Sequence, residues 1–307
     1  MFRQILIQSG DHLCLPSRLV ILSERGESKN PQLLLCSFSK PLQGHSIAEI
    51  SLHRIDIIAR GAANLMNTPH ASDRLIVALD FDTLEQAKRL VSELDGTANF
   101  FKIGMGLQLD PGTNQFIREL VAGGKKVFLD YKYFDIEATV ERAVSQASKI
   151  GVSFLTVHGN SSIIQAAVRG RAASDMKVFA VTVLTSLDAE DIKEMGFNCS
   201  VEDLVLHRAS QAVKWGCDGV IASGREVAPI RGRVGKSLLV VTPGIRPDGY
   251  GTDDQKRTMT PGEAIEAGAD YLVVGRPITG APTPRQAAAE IVAEIGEALE
   301  KRAKVSA

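Results

Sequence analysis

Asp130, Lys132 and Asp135 punctuate one short stretch, Asp130-Tyr131-Lys132-Tyr133-Phe134-Asp135, and a second lysine, Lys102, sits upstream in Phe100-Phe101-Lys102-Ile103-Gly104. An ammonium flanked by carboxylates can act as a positioned proton donor, or as a fixed positive charge facing negative charge that develops during a reaction. If the stretch is a strand, alternation puts Asp130 and Lys132 on one face and Leu129 and Tyr131 on the other. Taken singly, each charge is better read as a solvated strand end. Crowding several of them costs several kcal/mol per ion unless they pair, so their grouping points to a use beyond stability.

A second set of residues suits an anion. Thr242-Pro243-Gly244-Ile245-Arg246-Pro247 and Val274-Gly275-Arg276-Pro277 each place a guanidinium beside a glycine whose N–H can approach a phosphate closely. Between them, Asp248 to Arg257 forms a glycine-containing loop long enough to serve as a closing lid, with Gln255 as a candidate donor to the ligand. Together these features predict a phosphorylated substrate.

The elements that must carry these residues follow from hydrophobic patterning. Eight short apolar runs are predicted as strands: Leu75–Asp80, Phe100–Gly104, Lys126–Lys132, Phe154–His158, Val178–Leu184, Gly219–Ala222, Leu238–Thr242 and Tyr271–Val274. Amphipathic stretches such as Leu84–Leu94 and Glu137–Ile150 separate most of them, which is the pattern of repeated βα units in a parallel sheet. Eight units predict an α/β fold of the TIM (β/α)8 barrel type. A doubly wound sheet normally carries a glycine fingerprint after its first strand. None follows Asp80, and Gly104-Met105-Gly106 has Leu109 in the place of the third glycine. In such a barrel chemistry collects at the carboxyl ends of the strands, where Asp80, Lys102, Asp130, Lys132, His158 and Thr185-Ser186 fall. The two arginine segments follow the seventh and eighth strands, where barrels commonly bind phosphate.

Composition sets the remaining bounds. Apolar residues make up 44% of the 307-residue chain and charged residues 23%, with a formal net charge of −1, so nothing draws it generally to nucleic acid or to a membrane. Cys14, Cys36, Cys199 and Cys217 are scattered without a C-x-x-C pair, which argues against a zinc site or a disulfide framework and for a reducing, cytoplasmic setting. No apolar run approaches the roughly 20 residues of a membrane span, and the first residues lack a secretory core with a cleavage site. Residues 1–70 show no sustained period and read as an irregular N-terminal extension, poorly ordered or outside the native fold, with 71–307 as the catalytic barrel. Acidic residues among their arginines argue against a transit peptide. Met66 is a candidate natural start, with residues 1–65 then having no role in the fold.

Seven motifs in order carry a resemblance to a known family. They are Val77-Ala78-Leu79-Asp80, Phe101-Lys102-Ile103-Gly104, Asp130-x-Lys132-x-x-Asp135-Ile136-x-x-Thr139, Thr182-Val183-Leu184-Thr185-Ser186, Thr242-Pro243-Gly244-Ile245-Arg246-Pro247, Asp254-Gln255-Lys256-Arg257 and Gly275-Arg276-Pro277. From about Arg74 to Ile278 the chain resembles orotidine 5′-phosphate decarboxylase, the last enzyme of uridylate synthesis. The resemblance implies a carboxy-lyase that needs no cofactor or metal and converts orotidine 5′-phosphate to uridine 5′-phosphate and carbon dioxide. It implies an alternating charged network of Lys102, Asp130, Lys132 and Asp135, with Lys132 as proton donor. It further implies that Asp80 contacts the ribose, Thr185 the pyrimidine, and Arg246, Gln255, Gly275 and Arg276 the phosphate. Asp135 and Thr139 are expected to reach the active site of a partner subunit in a homodimer.

The chain departs from the usual family pattern where Glu137 and Ala138 replace Pro-Asn, and where Phe134 replaces a frequent histidine. His158 is assigned no proton role. Two other readings remain open on the residues: a magnesium-dependent decarboxylase or aldolase acting on sugar phosphates, built on the same barrel, and a non-catalytic phosphate-binding regulator.

Overall fold

A computed structural model of the protein describes residues 70–250 and 258–305, together with the strands β1 (Ile5–Leu6), β2 (Arg18–Ile21) and β3 (Leu34–Ser37). The chain divides into two units, Met1–Thr68 and Pro69–Ala307. In the first, β1, β2 and β3 pair antiparallel, with Ile5 opposite Ile21 and Val20 opposite Leu35. Strands of two to four residues are too short to show a period, so the sequence pattern reads as irregular there.

The second unit is a closed parallel barrel. Its strands are β4 (Leu75–Ala78), β5 (Phe100–Gly104), β6 (Lys126–Tyr133), β7 (Phe154–His158), β8 (Lys177–Val181), β9 (Gly219–Ile221), β10 (Leu239–Thr242) and β11 (Tyr271–Val274). They pair in chain order and β11 closes onto β4. The TIM-barrel expectation holds, and each predicted strand has its counterpart. Three end earlier than predicted: β4 at Ala78, β8 at Val181 and β9 at Ile221. The apolar pattern runs on because Leu79, Val183 and Ala222 stay buried at the rim, and the Leu79 and Ala222 amides still donate to the Lys102 and Val241 carbonyls at 2.9 and 3.2 Å beyond the last paired residues.

Alternation sorts the core into two layers. One lies inside the barrel, built from Ile76, Ala78, Phe100, Phe128, Phe154, Phe179, Val241 and Val273. The other lies between strands and helices and includes Leu75, Val77, Phe101, Ile103, Val127, Leu129, Leu155 and Val157. Phe154 is the hub of the inner layer, with ring centroids 4.8 Å from Phe100, 5.8 Å from Phe128 and 4.5 Å from Phe179. Phe179 lies flush against Gly219, where an added Cβ would meet its ring at 2.4 Å.

Helices follow the same logic. In Leu84–Glu93, Thr83 and Gln86 form a reciprocal cap, and Leu84, Ala87 and Leu90 make the buried stripe. In Glu137–Ile150, Val140, Val144 and Ala147 face inward and Gly151, at φ 85°, ends the helix in the left-handed conformation that glycine adopts without strain. At the amino-terminal rim, Asp218 accepts from the Val178 amide at 2.8 Å and pairs with Arg171, while Asp270 accepts from the Val240 amide at 2.8 Å and pairs with Arg231. These two clamps fix the lower ends of neighbouring strands.

Candidate active site

The inward stripe that carries the phenylalanine layer delivers the charges two residues further on. Phe100 leads to Lys102 on β5, Phe128 to Asp130 on β6, and Phe154 to Thr156 on β7. Lys102 Nζ lies 2.9 Å from Asp80 Oδ1 and 3.4 Å from Asp130 Oδ2, and Lys132 Nζ lies 3.0 Å from Asp130 Oδ1. Asp80, Lys102, Asp130 and Lys132 therefore form one chain of alternating charge across the barrel mouth. Asp80 at the outer end is 62% exposed, and from there inward side-chain exposure rises from 9% at Lys102 through 15% at Asp130 to 25% at Lys132. Gly104 backs this chain, because a Cβ there would sit 3.0 Å from Asp80 Oδ1 and 3.3 Å from Lys102 Nζ.

Simple alternation predicts that Asp130 and Lys132 share a face, and they do meet, but the strand between them is not regular. Leu129 pairs with Leu155, whereas Tyr133 pairs with Val157, so β6 carries two more residues than β7 across this interval. An even insertion preserves sidedness: Tyr131 and Tyr133 stay on the helix-facing side with Leu129 while Asp130 and Lys132 stay inside. Lys132 adopts φ 48°, a conformation that costs a non-glycine residue about 1–3 kcal/mol and persists only where its surroundings hold it. The buried Thr156 occupies the gap, its Oγ1 accepting from the Lys132 amide at 2.9 Å and donating to Asp130 Oδ1 at 2.9 Å.

Electrostatics follow from this packing. Burial raises the Asp130 pKa, but Lys102 and Lys132, with hydrogen bonds from Lys132 and Thr156, outweigh it and hold the carboxyl below the ordinary aspartate range. Burial likewise works against the Lys102 ammonium, yet the Asp130 and Asp80 carboxylates prevail and shift it upward. Asp130 is thus an anion and Lys102 a cation throughout the neutral range. His158, at the end of β7 with its ring 5.0 Å from that of Phe134, is pushed below its ordinary value by burial, then by Arg208 and Lys132.

The anion-binding residues sit on the adjoining strands β10 and β11. Gly244 turns the chain with φ 77°, and Ile245 bridges Met259 while the Arg246 amide donates to the Met259 carbonyl at 3.0 Å. The loop that follows is therefore pinned at its base. Arg246 is buried, with its guanidinium 5.8 Å from the Tyr250 ring centroid, while Arg276 is exposed just after Gly275 at the end of β11. Gln255 lies outside the described residues. Thr185 is half-buried in the turn after β8, downstream of the Thr182 carbonyl, which accepts from Arg208.

Comparison with known proteins decides among the readings of this site. Residues 73–291 match the family model described as Orotidine 5′-phosphate decarboxylase / HUMPS family. The chain belongs to that family. The orotidine 5′-phosphate decarboxylase of Nitrobacter winogradskyi is 58% identical over 229 residues, covering 75% of this chain and 95% of the relative. That of Methylorubrum extorquens is 51% identical over 226 residues, covering 74% and 97%. The crystal structure of the Lactobacillus acidophilus orotidine 5′-phosphate decarboxylase superposes with a TM-score of 0.65 at 37% identity, covering 72% of this chain and 98% of that one.

Within the span matched to the decarboxylase family, the expected charged network is modified at both ends. Asp80, expected as a ribose contact, is also the outermost member of the ion chain. Asp135 does not join that chain: it is exposed, and its carboxylate accepts from the Ile136 amide at 2.6 Å. It lies beyond the strand, where alternation gives no direction. Thr139, half-buried on the first turns of Glu137–Ile150, is placed similarly. Glu137, in place of the usual proline, pairs with Arg169 at 3.1 Å. Thr156 escaped the sequence reading, as did the packing of Gly104 against Asp80 and Lys102. The repeated spacing Phe100-x-Lys102, Phe128-x-Asp130, Phe154-x-Thr156 is the signal that could have flagged Thr156.

Proposed function

We propose that this protein converts orotidine 5′-phosphate to uridine 5′-phosphate and carbon dioxide, the reaction for which its family and relatives are named. The observation that carries the residue assignment is the alternating chain Asp80–Lys102–Asp130–Lys132 at the barrel mouth. Cleavage of the bond to the departing carboxylate leaves its electron pair on a ring carbon. Lys132, held against Asp130, supplies a cation to that carbon and then a proton, and solvent recharges the amine. Asp130 stays ionised and repels the substrate carboxylate, a repulsion that the neutral product relieves. Arg246, Gln255, Gly275 and Arg276 hold the phosphate, and closure of the loop after Arg246 expresses that binding energy in the rate. Asp80 contacts the ribose and Thr185 the pyrimidine.

The enzyme works as a cytoplasmic homodimer. Asp135 and Thr139 serve the neighbouring subunit's site, a reading favoured by the exposure of Phe134, Asp135 and Ile136 beside the mouth. Residues 71–307 are the catalytic unit and residues 1–70 an appendage to it.

The magnesium-dependent alternative is disfavoured because both Asp130 oxygens are taken by ammonium groups, so the carboxylate is an ion-pair partner rather than a free metal ligand. The test is to mix the protein with orotidine 5′-phosphate and a chelator and to follow the orotate absorbance. Loss of absorbance supports the nucleotide decarboxylase. A requirement for added magnesium points to the sugar-phosphate branch, and absence of turnover with retained phosphate binding points to a regulator.

A further inference from the structure

We infer that Thr156 is a positioning residue for the proton donor, acting through the backbone of Lys132 and the carboxylate of Asp130. This rests on the decarboxylase reading above. Because β6 bulges by two residues against β7, Lys132 loses its regular ladder partner, and its amide turns to the Thr156 hydroxyl at 2.9 Å. The same oxygen donates its proton to Asp130 Oδ1 at 2.9 Å, the atom that also pairs with Lys132 Nζ at 3.0 Å. Lys132 is thus tied to one point twice, by its main chain through Thr156 and by its side chain through Asp130.

The Thr156 hydroxyl is shut off from solvent, so water cannot stand in for it without repacking. Only a group that both accepts and donates fits between an amide N–H and a carboxylate, which a hydroxyl does and a methyl does not. Its work is to hold the left-handed Lys132 backbone, at φ 48°, so that the ammonium stays over the reacting carbon rather than relaxing to a regular strand.

Thr156→Val keeps the shape and removes the hydroxyl. Displacement of a catalytic group by about 1 Å costs on the order of 100-fold, so kcat is expected to fall about 10- to 100-fold. KM and the dissociation constant for uridine 5′-phosphate should change far less, because the phosphate residues lie on other strands. Thr156→Ser keeps the hydroxyl and should recover most of the lost kcat. A Thr156→Val enzyme with the wild-type kcat overturns the inference, as does a Thr156→Ser enzyme as impaired as the valine variant. If the valine variant does not fold, the serine variant decides, since a tenfold loss there also overturns it. Hydrogen exchange at the Lys132 amide, read without substrate, is expected to lose protection in Thr156→Val. That readout separates this contact from the reaction: a wild type inert toward orotidine 5′-phosphate, with the exchange change intact, removes the decarboxylase reading and leaves the contact standing, and unchanged exchange removes the contact.

Discussion

In the proposed reaction Lys132 meets two demands that oppose each other, a charged group close to the reacting carbon and a backbone conformation that few residues adopt. Lys132→Ala is expected to lower kcat by roughly 10²–10⁴-fold or more, the range that a positioned proton donor supplies, and near-normal turnover would overturn the mechanism. Arg276→Ala removes a charge-assisted contact worth about 1.5–3 kcal/mol, so the expected change is a KM raised about 10- to 100-fold, read from saturation curves beside the Lys132 variant. Asp130 links the site to acid stability. Its folded pKa is depressed, so its contribution is present above the unfolded value of about 3.9 and is lost as pH falls through the lower folded value. Thermal melts of wild type and Asp130→Asn should differ most near neutrality and converge in acid, and a difference that persists unchanged to low pH would sink the assignment. At this scale the charges were legible in the sequence because strand alternation fixes sidedness. Thr156 was not, because its spacing from Phe154 gives only its side of the strand and not the Lys132 amide it serves.

Three strands, β5, β6 and β7, do their work in pairs of positions, a phenylalanine below and a functional residue above. Phe154→Ala opens the centre of the inner layer and is expected to cost about 3–5 kcal/mol, seen as a lowered melting temperature. A loss below about 1 kcal/mol would mean that the layer collapses around the gap. The eight strands could be read from sequence because each is a short apolar run bounded by helical pattern. Their ends could not, because Leu79 and Val183 remain buried past the last paired residues. The two-residue bulge in β6 was equally hidden: the paired strand, not the local pattern, defines it.

At the scale of the whole molecule, the proposed dimer would add what one chain lacks. Asp135 is exposed and its carboxylate accepts from the Ile136 amide, and the proposed dimer puts it beside Lys132 of the partner subunit. Mixing two inactive variants, Lys132→Ala and Asp135→Ala, tests this directly. Random assortment makes about half the dimers mixed, each with one intact site, so about a quarter of wild-type activity should return. No recovery after subunit exchange would show that each chain completes its own site. The sequence could give the family motif that contains Asp135, but not the direction of a side chain that lies beyond the strand, where alternation no longer applies.

The phenylalanine layer has one more consequence. Phe100, Phe128, Phe154 and Phe179 plug the barrel beneath the charges, leaving the mouth as the way in for water. In the proposed reaction the amine of Lys132 must take up a fresh proton after each turnover, through the same opening by which the nucleotide departs. Recharging therefore waits on emptying, and the enzyme is rearmed only once its product has gone.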